Sequence, residues 1–139
     1  MGDFSAFMKK NKAVKSNEFF PATKSLCDAD GNPLLWEIRA IPTKEAEVIR
    51  DECMIESVGK GGQVRRKLDT TKFIAKTTAA AVVLPDLYNA ELQDSYGVTK
   101  PEDLLKEMVD DYMEFNELVA FVQKINGNSL EDDIEDAKN

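Results

Sequence analysis

The second half of the sequence is a train of apolar stripes at helical spacing, cut into short pieces by residues that helix interiors do not tolerate. Asp69 opens TTKFIAKTTAAAVVL, which becomes apolar on all sides as it runs towards Pro85, as a central core helix does. Asp86 then opens DLYNAELQDSY, whose Leu87, Ala90 and Leu92 can pack, and Gly97 closes it at a position that tolerates left-handed backbone. Thr99-Lys100-Pro101-Glu102 has the form of a capping box, with proline in the first turn where its missing N–H does no harm. Leu104, Leu105, Met108 and Val109 make the next stripe; Phe115, Leu118, Val119, Val122 and Ile125 make the last, ended by Asn126-Gly127. So punctuated, the chain predicts short helices packed on a shared core.

The first half follows other rules. Asp3 can cap a short helix in which Phe4, Phe7 and Met8 stand at i, i+3 and i+4, and the polar, lysine-rich KKNKAVKS follows. Residues 1–17 thus read as an amphipathic arm. Its triplet either folds back on the core, the blander expectation, or docks on a partner, which makes Phe4, Phe7 and Met8 the candidate partner-binding residues. From residue 18, EFFPATKSL and LLWEIRAI flank the turn-forming CDADGNP, which predicts a β-hairpin. In its second run Leu34, Trp36, Ile38 and Ala40 alternate with Leu35, Glu37 and Arg39, giving one apolar and one largely charged face. The Asp28-Ala29-Asp30-Gly31 string resembles part of a calcium loop, but the first ligand position would be Leu26, and Pro33 and the flanking strands do not fit one. A turn closed by Asp and Asn, with Gly31 at positive φ, accounts for it. Thr43 caps TKEAEVIRDECMIE, a helix with Ala46, Ile49, Cys53 and Ile55 or Met54 inward, and residues 57–68 read as a glycine-rich loop. The fold class is therefore α+β, an N-terminal β-hairpin or small antiparallel sheet packed against about five α-helices.

Composition narrows the chemistry. There is no histidine, which removes Ser/His and Cys/His nucleophile pairs, an HExxH zinc site and any side chain that titrates near neutrality unperturbed. Cys27 and Cys53 are far apart with no CxxC spacing, and read as reduced, partly buried side chains. Gly59-Lys60-Gly61-Gly62 lacks the spacing and the preceding strand of a phosphate-binding loop. The acids Glu91, Asp94, Asp103, Glu107, Asp110, Asp111, Glu114 and Glu117 lie mostly off the apolar stripes, so a solvated face explains them without catalysis or metal. No catalytic, cofactor-binding or metal-ligating residue is assigned. A carboxylate-dependent metal hydrolase remains as an alternative, as does a structural component of a larger assembly.

Charge is distributed unevenly. Residues 1–85 hold 14 Lys/Arg against 11 Asp/Glu, net +3, and residues 86–139 hold 4 against 15, net −11. Such an acidic half repels polyanions, which argues against nucleic acid as a partner. The basic Lys60, Arg65, Arg66 and Lys67 have no interleaved aromatics and read as loop charges. With no run of eighteen apolar residues and no secretory leader, no membrane role is expected, and the chain is expected to be soluble and cytoplasmic. Residues 18–127 read as one domain, and residues 128–139, which include SLEDDIEDAKN with five acids in eleven residues, as an acidic disordered tail.

Three stretches together carry a resemblance: DFSAFMKKNK at the start, ATKSLCDADGNPLLWEIRAI, and the block AVVLPDLYNAELQDSYGVTKPEDLLKEMVDD with EFNELVAFVQKING after it. They resemble the XkdN-like phage tail assembly chaperones of contractile-tailed phages and related prophage elements, over nearly all of residues 3–127. The loop 57–68 and the tail lie outside the resemblance. It implies a non-enzymatic protein of the bacterial cytoplasm, absent from the mature virion, that keeps the tape-measure protein soluble and brings it tail-tube subunits. Homo-oligomers are compatible with this role. It further implies a longer frameshifted form of the chain as a partner, made where ribosomes slip near Lys138-Asn139; a Lys138 codon of AAG would remove the slippery run.

Overall fold

The computed structural model describes residues 3–128. Two 3₁₀ turns, Asp3–Phe7 and Lys9–Asn11, lead through an extended stretch into β1 (Glu18–Phe20). There follow β2 (Trp36–Ile38), α1 (Thr43–Glu52), β3 (Met54–Val58), β4 (Val64–Leu68), α2 (Thr70–Ala81) and β5 (Val82–Leu84). Three further helices, α3 (Ala90–Ser95), α4 (Pro101–Met108) and α5 (Tyr112–Gln123), complete the order, and the last runs into a π-helical turn at Lys124–Asn128. The architecture is the α+β class that the sequence predicts: among the described residues, five α-helices with two small antiparallel sheets, one in the order β1-β2-β5 and one of β3-β4. The acidic segment 129–139 lies outside the described residues.

β1 and β2 do pair as antiparallel neighbours, Glu18 with Ile38 and Phe20 with Trp36. The connection between them carries the predicted turn. Asp28 Oδ1 accepts from the N–H groups of Asp30 (2.9 Å) and Asn32 (3.0 Å), and Gly31 takes φ +83°, which a residue with a Cβ adopts only under strain. Pleat alternation sends Trp36 and Ile38 into the core and leaves Glu37 on the other face.

Four expectations need correction. First, the helix from Asp69 does not continue to Pro85: Asp69 Oδ1 caps it by accepting from Lys72 N, but it ends at Ala81, and Val82–Leu84 form β5. Two adjacent valines prefer a pleated partner to a helix, and β2 offers one. Glu37 pairs with Leu84 and Ile38 with Val82, so Val83 forms a bulge between them. Second, residues 57–68 are not one loop: β3 and β4 form a hairpin in register from Met54↔Leu68 to Val58↔Val64, and only residues 59–63, with a 3₁₀ turn at Lys60–Gly62, connect them. For the same reason α1 stops at Glu52, and Met54 and Ile55 belong to β3. Third, the capping box at Thr99 does not form; Lys100 is the N-cap without a side-chain bond, and Pro101 opens α4. Pro42 likewise stands where Thr43 was expected to cap α1. Fourth, α3 starts at Ala90 rather than near Asp86, capped by Asn89 Oδ1 accepting from Leu92 N at 2.8 Å.

α2 is the hub of the domain and packs against α1, α4 and α5. Its buried face is small, with Ala75, Thr78 and Ala79, which lets neighbouring helices approach closely. The predicted stripes supply the rest: Leu104, Leu105, Met108 and Val109 from α4 and its end, and Leu118, Val122 and Ile125 from α5 and its extension, are all buried beside Trp36, Ile38 and Leu87. Phe20 of β1 stacks on Phe121 of α5 with ring centroids 4.4 Å apart, tying the sheet to the last helix.

Candidate partner-binding surface

The arm does not return to the core. Phe4 and Phe7 are 80% and 87% exposed and Met8 is 55% exposed, so the fold-back expectation is corrected by the observed placement. A 3₁₀ turn has three residues per turn, which puts Phe4 and Phe7 on one side of it. Side-chain hydrogen bonding from Asn11 to the Ser5 carbonyl braces this turn from its own C-terminal side. An apolar pair held this way buries little by itself.

The root of the arm is anchored. Lys15 Nζ donates to the carbonyl of Ile125 at 3.0 Å, and Asn17 Nδ2 donates to Glu37 Oε2 at 2.8 Å. Residues 12–15 and Asn17 lie along one side of an open cleft whose other side is Arg39–Lys44 and Asn126. Asn126 is a stitch at this point: its Oδ1 accepts from Ile41 N and its Nδ2 donates to the Val122 carbonyl, each at 2.7 Å.

Beyond Asn126 the cleft continues into a groove between α1, α2 and α5. Ile41, Ala46, Phe73, Ile74 and Val122 line it, Glu47 and Arg50 stand at its edge, and its volume is about 430 Å³. Its lining is apolar for most of its area, as grooves that receive an amphipathic helix are. Ile41, Thr43 and Asn126 border both the groove and the cleft beside the arm, so the anchored end of the arm adjoins the groove.

The ionisable groups serve the fold. Arg39 Nη1 and Nη2 donate to Glu45 Oε2 and Oε1 at 2.9 and 2.5 Å, and Arg39 Nε donates to the Ala80 carbonyl at 3.1 Å. The hydrogen bond from Arg39 is the main reason that the Glu45 carboxyl sits below its ordinary range. Lys76 Nζ meets Glu52 Oε2 at 2.7 Å, and this bond raises the Lys76 ammonium pKa. Burial pushes the Cys53 thiol up, which leaves it a small apolar filler rather than a nucleophile. Of the eight acids read as a solvated face, seven are exposed. Glu114 is the exception, half-buried, with its two oxygens accepting from Thr23 Oγ1 and Lys24 N at 2.8 Å each. Among the described residues no group of three or more His, Cys, Asp or Glu could hold a metal ion, and no helix is long and apolar enough to cross a membrane.

Two features escaped sequence reasoning. The groove joins residues from positions 41 to 126 and has no local signal. The hairpin had a faint one: Met54, Ile55 and Val58 lie on one side of a five-residue, glycine-containing connection and Val64 and Leu68 on the other, a strand–turn–strand pattern without clean alternation and overshadowed by the density of glycine and charge.

Comparison with known proteins adds what geometry cannot. The family model described as phage XkdN-like tail assembly chaperone protein matches residues 4–138. The Bacillus subtilis (strain 168) phage-like element PBSX protein XkdN is 26% identical over 135 residues, covering 96% of this chain and 89% of that one. YqbN of the same strain is 25% identical over 134 residues with the same coverage. The crystal structure of YqbN superposes with a TM-score of 0.74 at 22% identity, over 88% of this chain and 94% of that chain, and so shares the fold.

Proposed function

Because the chain belongs to the XkdN-like phage tail assembly chaperone family, we propose that it binds the tape-measure protein during tail assembly, keeps it from aggregating and helps bring tail-tube subunits to it. It acts in the bacterial cytoplasm, performs no catalysis and leaves before the virion is complete. The observation that carries this reading is the exposed apolar arm, Phe4, Phe7 and Met8, tethered beside an apolar groove. A long helical partner with apolar stripes aggregates unless those stripes are covered, and an arm and a groove together can cover one. The groove takes the stripe of a partner helix at i, i+3, i+4 and i+7 spacing, and the arm closes over its far side.

The test is co-expression with the tape-measure protein of the same phage or prophage element. Phe4→Asp with Phe7→Asp is expected to leave the melting temperature within about 2 °C of wild type, because both rings are exposed, while abolishing co-purification of the tape-measure protein. Undiminished co-purification would overturn the assignment of the arm. Mass spectrometry of purified particles separates the other reading: a chain present in stoichiometric amounts in finished tails is a structural component and no chaperone.

A further inference from the structure

We infer that the acidic segment 129–139 seats in the lysine-lined cleft beside the root of the arm of its own chain, where it covers the near end of the groove. The cleft has a volume of about 910 Å³ and carries one sign of charge: Lys9, Lys12, Lys15 and Lys44 line it together with Arg39, and no acid does. Arg39 is already bound to Glu45, and among the described residues none of the four lysines meets a carboxylate. Lys15 donates to the Ile125 carbonyl, which is neutral and leaves its charge unmet. Four like charges gathered round one hollow repel one another, and a counter-charge laid among them relieves that repulsion.

Charge and chain position select the occupant. Residues 129–139 hold Glu131, Asp132, Asp133, Glu135 and Asp136 against Lys138, net −4, which matches the four lysines. The segment starts three residues after Asn126, which itself lines the cleft, and Gly127 between them takes φ +121°, so the chain leaves the last helix at a sharp bend beside the cleft. Extended, the segment reaches up to about 36 Å, far more than the dimensions of such a cleft. Leu130 and Ile134 stand four apart, which puts them on one side of the segment whether it is extended or helical. Opposite them the cleft offers Val14, which is 90% exposed, and the half-buried Ile41 on the other wall. Two apolar contacts thus accompany the ion pairs. The other basic surface, the β3–β4 hairpin, is a poorer host, because Glu56 stands opposite Arg66 at 3.9 Å and already meets part of its charge.

A segment this poor in apolar groups does not fold alone, yet its tether sets an effective concentration in the millimolar range, where weak contacts suffice. Exposed ion pairs contribute little each, so the seat is read by position and by competition rather than by melting temperature. Ile41, Thr43 and Asn126 border both cleft and groove, which is why a tail seated in the one lies across the near end of the other. The seat concerns the purified chain alone and does not depend on the tape-measure reading. For the test, full-length wild type is mixed with its nitrogen-15-labelled copy at low ionic strength and treated with a carbodiimide, which joins lysine amines to carboxylates in contact. The expected cross-links run from Lys9, Lys12, Lys15 or Lys44 to acids between Glu131 and Asp136, light to light and heavy to heavy. They should disappear at about 1 M salt, where the screening length falls to about 3 Å. A full-length chain with Asp132→Asn, Asp133→Asn, Glu135→Gln and Asp136→Asn frees the cleft without altering any residue that lines it. A dye-labelled SLEDDIEDAKN peptide should bind this variant about tenfold more tightly than wild type, whose own tethered tail competes for the cleft. Adding Lys12→Gln with Lys44→Gln to the variant should remove that binding. Cross-links that are absent, that join light to heavy chains or that go mainly to lysines outside the cleft would each overturn the inference. So would equal peptide affinity for wild type and variant, or binding that survives the loss of Lys12 and Lys44.

Discussion

Glu114 is the acid whose removal should be felt, and its neighbours supply the control. In the sequence it is one of the eight carboxylates read as a solvated face, with nothing to mark it. In the fold it reaches from the first turn of α5 to the connection between β1 and β2, where its oxygens accept from Thr23 Oγ1 and from Lys24 N, each at 2.8 Å. Thr23 is only 1% exposed, so this contact fixes buried chain to the helix that carries Leu118 and Val122. Hydrogen bonds to a charged group contribute about 1.5–3 kcal/mol each. Two losses are cushioned in Glu114→Ala: Thr23 Oγ1 keeps Ser25 Oγ at 2.7 Å, and Lys24 is exposed, so its N–H recovers a water. The net cost should therefore be about 2 kcal/mol, near the value of a single such bond. For a chain of this size that corresponds to a fall in melting temperature of about 6–10 °C. Glu107→Ala and Glu117→Ala, exposed and without such bonds, should stay within about 0.5 kcal/mol of wild type. Calorimetry of the three variants at neutral pH reads this directly, and a Thr23→Ala, Glu114→Ala double-mutant cycle isolates the pair. If Glu114→Ala melts with the two controls, the bridge contributes nothing and the argument for it fails.

Two smaller predictions follow from the same structure. The Arg39 bond lowers the folded-state pKa of Glu45, so its contribution is present above the unfolded value of about 4.3 and disappears as pH falls through the lower folded value. Because the pair is partly exposed, Glu45→Gln should cost no more than about 1 kcal/mol at pH 7, and the gap to wild type should close in acid; a gap that widens on acidification would contradict the assigned sign. A chain ending at Asn128 should unfold within about 2 °C of the full chain, since SLEDDIEDAKN offers few apolar groups to a core, and loss of a cooperative transition in calorimetry would refute this.

The sequence by itself determined the helical stripes of α4 and α5, down to Leu104, Leu105, Met108, Leu118, Val122 and Ile125, and the Asp28–Asn32 turn. Both are local: a 3.6-residue period and a glycine flanked by Asp and Asn express their conformation within a few residues. Trp36 and Ile38 were legible for the same reason, since a pleat alternates faces wherever it forms. Tertiary structure decided the rest. Ala-Ala-Ala-Val-Val-Leu is equally good as the end of a helix or as helix then strand, and only β2, more than forty residues earlier, supplies the ladder that makes Val82–Leu84 β5. Met54 and Ile55 leave α1 for the same cause, because β4 offers them partners. Phe4, Phe7 and Met8 carry the apolar pattern of a core segment, yet whether they are buried depends on there being a surface within reach to bury them. Glu114 differs from its seven neighbours only in what lies opposite it, Thr23 and Lys24, and the groove exists only where α1, α2 and α5 meet. Backbone preference acts over one turn, whereas a hydrogen-bond partner or a packing surface can come from anywhere in the chain, and it is the second that fixed every feature on which a partner can act.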